Sequence, residues 1–171
     1  MTCDLKYILL VQFIGFVAFF YLATSVFRKK KEDVLAYQTI ASFFFTVHYL
    51  FLDAMSGAIS SIIVMLRNFG FYKFDKHPNI VAIVMILAFL LTSILTYDGI
   101  YSLLPTFGGI LYTLYMRGSK KDLLVGGIYN ASSWAIYNFI AGSYVGVFTE
   151  VTVMFSNILA LYKNKRKRKR K

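Results

Sequence analysis

Long apolar runs, separated by short polar breaks, dominate the chain. The first run, 7–27, has the length of one transmembrane helix, because a bilayer core about 30 Å thick needs about 20 helical residues. The next runs, 34–72, 79–116 and 122–162, are each about twice that length, so each must fold back on itself. The pattern predicts one span followed by three helical hairpins, which makes an all-α membrane protein with seven transmembrane helices.

Each long run contains one break at which a turn is expected. The breaks are the segment 53–57, the segment Tyr97-Asp98-Gly99 and the neighbourhood of Gly142-Ser143. Asp, Ser and Gly favour turns over the interior of a helix. The expected spans are therefore 7–27, 34–52, 57–72, 79–97, 99–116, 122–141 and 145–162.

The basic residues fall on one side of this arrangement. With the N-terminus outside, the inner segments 28–33, 73–78, 117–122 and 163–171 hold 4, 2, 3 and 8 Lys or Arg residues, and the external turns hold none. Cytoplasmic loops of membrane proteins carry such an excess. Basic residues follow the first span rather than precede it, which favours a retained helix over a cleaved signal peptide. We predict an N-terminus outside and a C-terminus in the cytoplasm.

Composition agrees with a surface that faces lipid. The chain is 58% hydrophobic and 16% charged, whereas soluble domains are about a quarter charged. We expect the basic tail, 163–171, to be disordered and to contact anionic lipid headgroups rather than nucleic acid. We expect Arg67, near the inner end of the third span, to snorkel to the inner headgroups, aided by Asp75 or Asp122.

A shift of 89 residues aligns the chain with itself without gaps. The matching pairs include Arg28 with Arg117, Gly57 with Gly146, and Asn68 with Asn157. The shift pairs spans one to three with spans five to seven, so the fourth is a connector and the halves keep one orientation. The expected units are a first repeat (1–73), a connector (74–98), a second repeat (99–162) and the basic tail (163–171). The alternative is an old duplication kept only for packing.

Several short motifs resemble those of a known family. They are His48-Tyr49-Leu50, Gly57-Ala58, Leu66-Arg67-Asn68, Tyr137-Asn138, Gly142-Ser143-Tyr144-Val145-Gly146 and the run 156–162. Over nearly the whole chain they resemble the YgjV-type family of small bacterial inner-membrane proteins, within the SWEET, PQ-loop and PnuC-like transporter superfamily. The resemblance implies a multi-pass protein of the bacterial inner membrane with 3+1+3 helices. By analogy of fold alone, it implies transport of a small solute.

The chain also departs from that superfamily. Neither half carries the Pro-Gln pair of PQ-loop proteins. SWEET-like repeats usually have a proline in the first helix of each triplet, and here only Pro105, in the fifth span, fits. The resemblance implies gating at a proline hinge in each half, and only the second half has the expected proline.

Two asparagines lie on equivalent faces of the third and seventh spans. Gly57, Ser61, Val64 and Asn68 share one helical face, and Gly146, Glu150, Val153 and Asn157 form its counterpart. In SWEET-like proteins an asparagine pair on these helices holds the solute, so the resemblance implies that Asn68 and Asn157 do so here. Asparagine offers both donors and acceptors, which suits a neutral or zwitterionic solute. The alternative is that both amides hold neighbouring helices together.

Glu150 breaks the symmetry of these faces, because its counterpart is Ser61. A carboxyl within a span needs a partner, a cavity or a function. His48, at a similar depth in the second span, is the expected partner, and Glu150 could carry a proton or bind a cationic part of the solute. The alternative is a water-exposed carboxyl in an outer vestibule.

The sixth span carries Asn130, Trp134 and Tyr137 on one face. Trp134 is the only tryptophan and falls in mid-span, away from the interface where Trp is usual. Its ring could stack on a solute or simply fill the core. With Asn68, Asn157, His48 and Glu150, these three residues complete the expected solute-binding set.

No hydrolytic, phosphate-binding or metal-binding motif stands out in the sequence. We therefore expect no enzyme, no catalytic residue, no metal and no cofactor. The favoured function is transport of a small neutral or zwitterionic solute through a pocket between the repeats. The alternatives are a non-transporting scaffold or accessory subunit that works through its basic tail, and an enzyme built on Glu150 and His48. Solute identity, flux direction and a homo-oligomeric state are left open.

Overall fold

The computed structural model describes residues 5–28 and 30–168 and is all-helical over them. Within these residues it contains seven α-helices and one 3-10 helix, Ile100–Leu103. The α-helices are α1 (Leu5–Ser25), α2 (Lys31–Phe51), α3 (Met55–Lys73), α4 (Pro78–Leu95), α5 (Leu104–Tyr115), α6 (Lys120–Ile140) and α7 (Tyr144–Arg168). The all-helical fold predicted from the apolar runs is confirmed.

Two helices differ in length from the expected spans. α5 has only 12 residues, because the tighter 3-10 helix precedes it and Pro105 lies in its first turn. α7 has 25 residues and continues to Arg168. The tail that we expected to be disordered is therefore helical as far as Arg168, since Lys and Arg are good helix formers. Residues 169–171 lie outside the described residues.

Two of the turns end their helices in the same way. After α2, Asp53 takes a positive φ of 56°, and the next N–H donates to the carbonyl of Tyr49. After α6, Gly142 takes a φ of 71°, and the next N–H donates to the carbonyl of Asn138. Both are Schellman closures, in which a left-handed residue satisfies the last carbonyls of the helix. Asp53 and Gly142 are equivalent positions under the 89-residue shift.

Contacts between helix ends define two ends of the bundle. At one end Lys31 donates to the carbonyl of Met116. We call this the basic end, because the loops rich in Lys and Arg lie there. At the opposite end, the ring of His48 bonds the hydroxyl of Ser143.

Six helices form a closed ring. α1, α2 and α3 pack in that order, and so do α5, α6 and α7. α1 packs on α7, and α3 packs on α5, which closes the ring, while α4 lies outside it against α3 and α5. The interior of the ring is the central feature of the fold.

Four helices of the described residues, α1, α2, α4 and α7, are long and apolar enough to cross a membrane. α3 and α6 are more polar because they carry Ser, Gly and Asn, several of them buried inside the bundle. The outer surface carries exposed large apolar side chains, among them Phe13 on α1, Ile83 on α4 and Phe155 on α7. Such a surface is suited to lipid rather than water.

Candidate functional site

A cavity of about 120 Å³ lies inside the ring of six helices. Every helix of the ring contributes to its wall, with Leu22, Ser42, Ser61, Tyr112, Trp134 and Glu150 as one example from each. The wall extends from Tyr49 and Trp134 to Arg28 and Leu123 near the basic end. The cavity therefore reaches from the middle of the bundle toward the basic end.

Four aromatic rings cover the cavity on the side away from the basic end. Tyr49 stacks on Phe45 and on Trp134, with ring centroids 5.8 and 5.6 Å apart. Tyr137 meets Trp134 edge to face at 5.8 Å. We call Phe45, Tyr49, Trp134 and Tyr137 the aromatic layer. Offset and edge-to-face geometries are the favourable ones for such rings, so the layer is well packed.

Hydrogen bonds fix the aromatic layer across the ring of helices. The Tyr49 hydroxyl donates to Asn138 Oδ1 at 2.6 Å, which joins α2 to α6. The Tyr137 hydroxyl accepts from the Gly57 N–H at 2.9 Å and bonds the Ser56 hydroxyl at 2.9 Å. A Cβ atom at Gly57 would lie only 2.8 Å from Tyr137 Cε1, so glycine is needed for this close approach.

A second hollow, of about 480 Å³, lies at the opposite end of the bundle. Its wall includes Asp53, Asp98, Tyr101 and Tyr137. Tyr137 thus faces this outer hollow, while Trp134, which it touches, lines the central cavity. The aromatic layer therefore separates the two spaces.

Arg67 lines the central cavity, and the expectation that it snorkels to the headgroups is wrong. Its side chain is only 2% exposed. Its Nε and Nη2 donate to Asn68 Oδ1 at 3.3 and 3.2 Å, and Nη1 donates to the Gly109 carbonyl at 3.5 Å. The guanidinium also lies 4.8 Å from the ring centroid of Tyr112. Neither expected aspartate is among these partners, because the side chain turns into the bundle.

Asn68 is fully buried and supports Arg67 instead of lining the cavity. Asn157, its counterpart under the 89-residue shift, does line the cavity, and its amide nitrogen approaches Gly127 of α6. The structure therefore separates the two asparagines that the sequence paired. One of them contacts the space directly, and the other orients a neighbouring charge.

Glu150 lines the cavity and is 6% exposed. The expected pairing with His48 is wrong, because both ring nitrogens of His48 have other partners. Nδ1 donates to the Val11 carbonyl at 2.8 Å, and Nε2 bonds the Ser143 hydroxyl at 2.7 Å. A carbonyl can only accept, so the proton is assigned to Nδ1 and the imidazole is satisfied as a structural tie. Within the described part of the chain, the Glu150 carboxyl has no hydrogen-bond partner.

The three residues predicted on α6 divide between the two spaces. Asn130 and Trp134 line the central cavity, and Tyr137 lines the outer hollow. The Oδ1 atom of Asn130 is buried without a partner. Of the seven predicted solute-binding residues, the structure brings four together around the cavity, namely Asn130, Trp134, Glu150 and Asn157.

Sequence reasoning missed three groups that shape this site. The sequence pattern places Arg67 at the headgroups, and it gives no binding role to Gln38 or to Tyr49, although Tyr49 belongs to one of the family motifs. Gln38 lines the cavity and donates to the Tyr112 hydroxyl at 3.2 Å. The 89-residue shift pairs Tyr49 with Asn138, which could have indicated contact across an axis, but the two residues differ in type.

A family profile described as bacterial inner membrane protein, Imp-YgjV, matches residues 9–168. No curated protein and no solved structure matches the chain. Among the residues that the structure describes, no group of three or more His, Cys, Asp or Glu side chains could hold a metal ion. Because the profile spans nearly the whole length, the chain belongs to the Imp-YgjV family of bacterial inner membrane proteins.

Proposed function

We propose that this protein transports a small solute across the bacterial inner membrane and that the central cavity is its solute site. One observation carries the proposal. A cavity lined by charged and amide groups lies in the middle of an apolar helical bundle, and a hydrogen-bonded aromatic layer closes it on one side only. Polar and charged groups at this depth are costly, and in membrane proteins they commonly mark a substrate or ion pathway.

The proposal includes two parallel triple-helix repeats, α1–α3 and α5–α7, related by a two-fold axis with α4 as connector. The helix packing supports this, because α1 on α7 is the counterpart of α3 on α5. The bond between Tyr49 and Asn138 gives further support, since they are 89 residues apart and equivalent positions meet only near such an axis. The matching closures at Asp53 and Gly142 agree with it. A placement within the SWEET-like superfamily follows from this plan by analogy.

In the proposed orientation the basic end is cytoplasmic and the N-terminus is outside, so seven helices cross the bilayer. The cavity then reaches toward the cytoplasm, and the aromatic layer is the closed outer gate. Opening that gate requires Tyr49 to leave Asn138 and Tyr137 to leave Gly57. In the other state of the alternating-access cycle these contacts break, and the cavity closes instead at its cytoplasmic end, near Arg28 and Leu123. The proposal includes neither a catalytic residue nor a cofactor.

Cysteine accessibility tests this function without knowledge of the solute. In a Cys3→Ser background, Ser61→Cys puts a thiol on the cavity wall, and Ile94→Cys puts one on the exposed face of α4. A charged methanethiosulfonate reagent is added to inverted and to right-side-out membrane vesicles. We expect Ser61→Cys to react in both, faster in inverted vesicles, and Ile94→Cys to react in neither because lipid covers it.

A thiol at position 61 that reacts only in inverted vesicles would contradict alternating access. It would favour the second candidate, a scaffold or accessory subunit that works through its basic tail. The continuation of α7 to Arg168 is the observation that favours this alternative, because most of the basic segment then belongs to a helix, and basic segments beside a membrane attract anionic lipid. Removal of 163–171 would then abolish function, whereas loss of Asn157 would not.

A further inference from the structure

A guanidinium and a carboxyl group face the central cavity. Arg67 comes from α3 and Glu150 from α7, and they are 2% and 6% exposed. The hydrogen-bond acceptors around Arg67 are neutral, namely Asn68 Oδ1 and the Gly109 carbonyl. The structure pairs neither charge with an opposite charge among the described residues.

Buried charges without a counter-charge are expensive, and the arginine stays protonated under all ordinary conditions. An ion pair between Arg67 and Glu150 would offset part of this cost, but the structure does not form one. Under the repeat, Arg67 is equivalent to Ser156, six residues beyond Glu150 along the helix. Six residues correspond to about 9 Å along the axis. The two groups therefore face the same cavity from different helices and at different heights along the proposed axis.

Three hydrogen bonds orient the Arg67 guanidinium, and two of its five N–H groups are not used in them. It has five N–H groups, of which one on Nε and one on Nη2 go to Asn68, and one on Nη1 goes to Gly109. One N–H on each terminal nitrogen remains to donate to a solute, and guanidinium N–H groups are strong donors to a carboxylate. The ring of Tyr112, 4.8 Å away, supports the guanidinium from one side.

The size of the cavity limits the molecule that fits. Its volume of about 120 Å³ corresponds to roughly eight water molecules at about 15 Å³ each. A small amino acid fits this space. The rings of Phe45 and Trp134 on the same wall suit a short apolar side chain.

We propose that the cavity binds a small zwitterion, with its carboxylate on the Arg67 guanidinium and its cationic group toward Glu150. This inference rests on the proposed transport function and names the solute class of the same cavity. Asn68 acts as a positioning residue, because it reaches the solute only through Arg67. Asn130 and Asn157 complete the wall with amide groups.

The test measures binding to the full-length protein in detergent by the fluorescence of Trp134, the single tryptophan and part of the cavity wall. The probes are alanine, lactate, which lacks the ammonium group, alaninamide, which lacks the carboxylate, and glycerol. We expect alanine to bind at least about ten-fold more tightly than each of the others, since a charged hydrogen bond is worth that much or more. Glycine, serine and proline serve as further zwitterions.

Two substitutions separate the charges. Arg67→Gln should weaken alanine binding at least about ten-fold, and Glu150→Gln should bring the affinities for alanine and lactate to within about two-fold. Arg117→Gln and Glu32→Gln, which alter exposed charges near the basic end, are the matched controls and should leave alanine binding unchanged. If Arg67→Gln does not fold, Arg67→Lys keeps the charge without the fork and should reduce the preference for alanine over alaninamide.

The possible results distinguish failure of the zwitterion proposal from failure of the transport proposal. Glycerol binding as tightly as alanine, unaffected by Arg67→Gln, would overturn the zwitterion and leave the transport proposal standing. Lactate binding more tightly than alanine in the wild type would overturn the role of Glu150. If no probe binds while the thiol at position 61 reacts from both sides, the solute class is wrong. If that thiol reacts from one side only, the transport proposal itself fails.

Discussion

The hydrogen bond between Tyr49 and Asn138 should stabilise the fold by a measurable coupling. Tyr49→Phe removes the donor and leaves Asn138 Oδ1 buried without one, which costs about 1–3 kcal/mol. Asn138→Ala removes the acceptor together with an amide nitrogen that already lacks a partner, so part of its cost is offset. Interhelical hydrogen bonds in membranes couple by about 0.6 kcal/mol on average and up to about 1.7 kcal/mol. At 2.6 Å and with both residues at most 1% exposed, this pair should lie in the upper half of that range.

The measurement is a double-mutant cycle on the free energy of unfolding. Wild type, both single variants and the double variant are unfolded with sodium dodecyl sulfate in mixed micelles, and the fluorescence of Trp134 reports the transition. Tyr144→Phe, at a 73% exposed position, controls for loss of a phenolic hydroxyl and should change stability little. Additive single effects, with a coupling near zero, would refute the contact and with it the main support for a two-fold axis.

Three further substitutions test other parts of the structure. Gly57→Ala should lower the free energy of unfolding by about 1–3 kcal/mol, because the added methyl group overpacks against Tyr137. It should also increase labelling of the Ser61→Cys thiol from outside. Unchanged stability and labelling would contradict the role of the aromatic layer as a gate. Ser119→Ala removes the capping box that Ser119 forms with Asp122 at the start of α6. It should lower the free energy of unfolding by about 0.5–2 kcal/mol. A smaller effect would mean that the capping box is not formed. His48→Leu removes the donor to the Val11 carbonyl and the acceptor of the buried Ser143 hydroxyl, so it should cost about 1–3 kcal/mol. A stability equal to that of the wild type would mean that these two hydrogen bonds do not hold α2 in place.

Much of the fold was predictable because the signals for helix length are local. Apolar runs and turn residues such as Gly99 and Gly142 mark where helices stop, and the structure ends helices close to those positions. The length of α7 was not predictable from hydropathy, since Lys and Arg end an apolar run without ending a helix. The 3-10 helix before Pro105 carries no distinct sequence signal either.

The site was harder to predict, because a turn of about 100° separates adjacent residues on a helix and decides which of them faces the cavity. Arg67 and Asn68 are neighbours, and the apolar period of α3 does not show which of them faces inward. The partner of His48 depends on where the α6–α7 turn meets α2, which only tertiary packing determines. Trp134 and Glu150 were identifiable because unusual residue types in a span are few and conspicuous.

The bond between Tyr49 and Asn138 has a consequence for how such a site can arise. In an assembly of two identical half-length chains, each residue near the two-fold axis meets its own copy. A tyrosine there would face a second tyrosine, and an asparagine would face a second asparagine. The same restriction would confront Arg67 with a second arginine, or Glu150 with a second glutamate. In this chain each of those charges has a serine as its counterpart. Under the proposed duplication, each half of one chain can mutate alone, which allows a donor to meet an acceptor and a guanidinium to share a cavity with a carboxyl group.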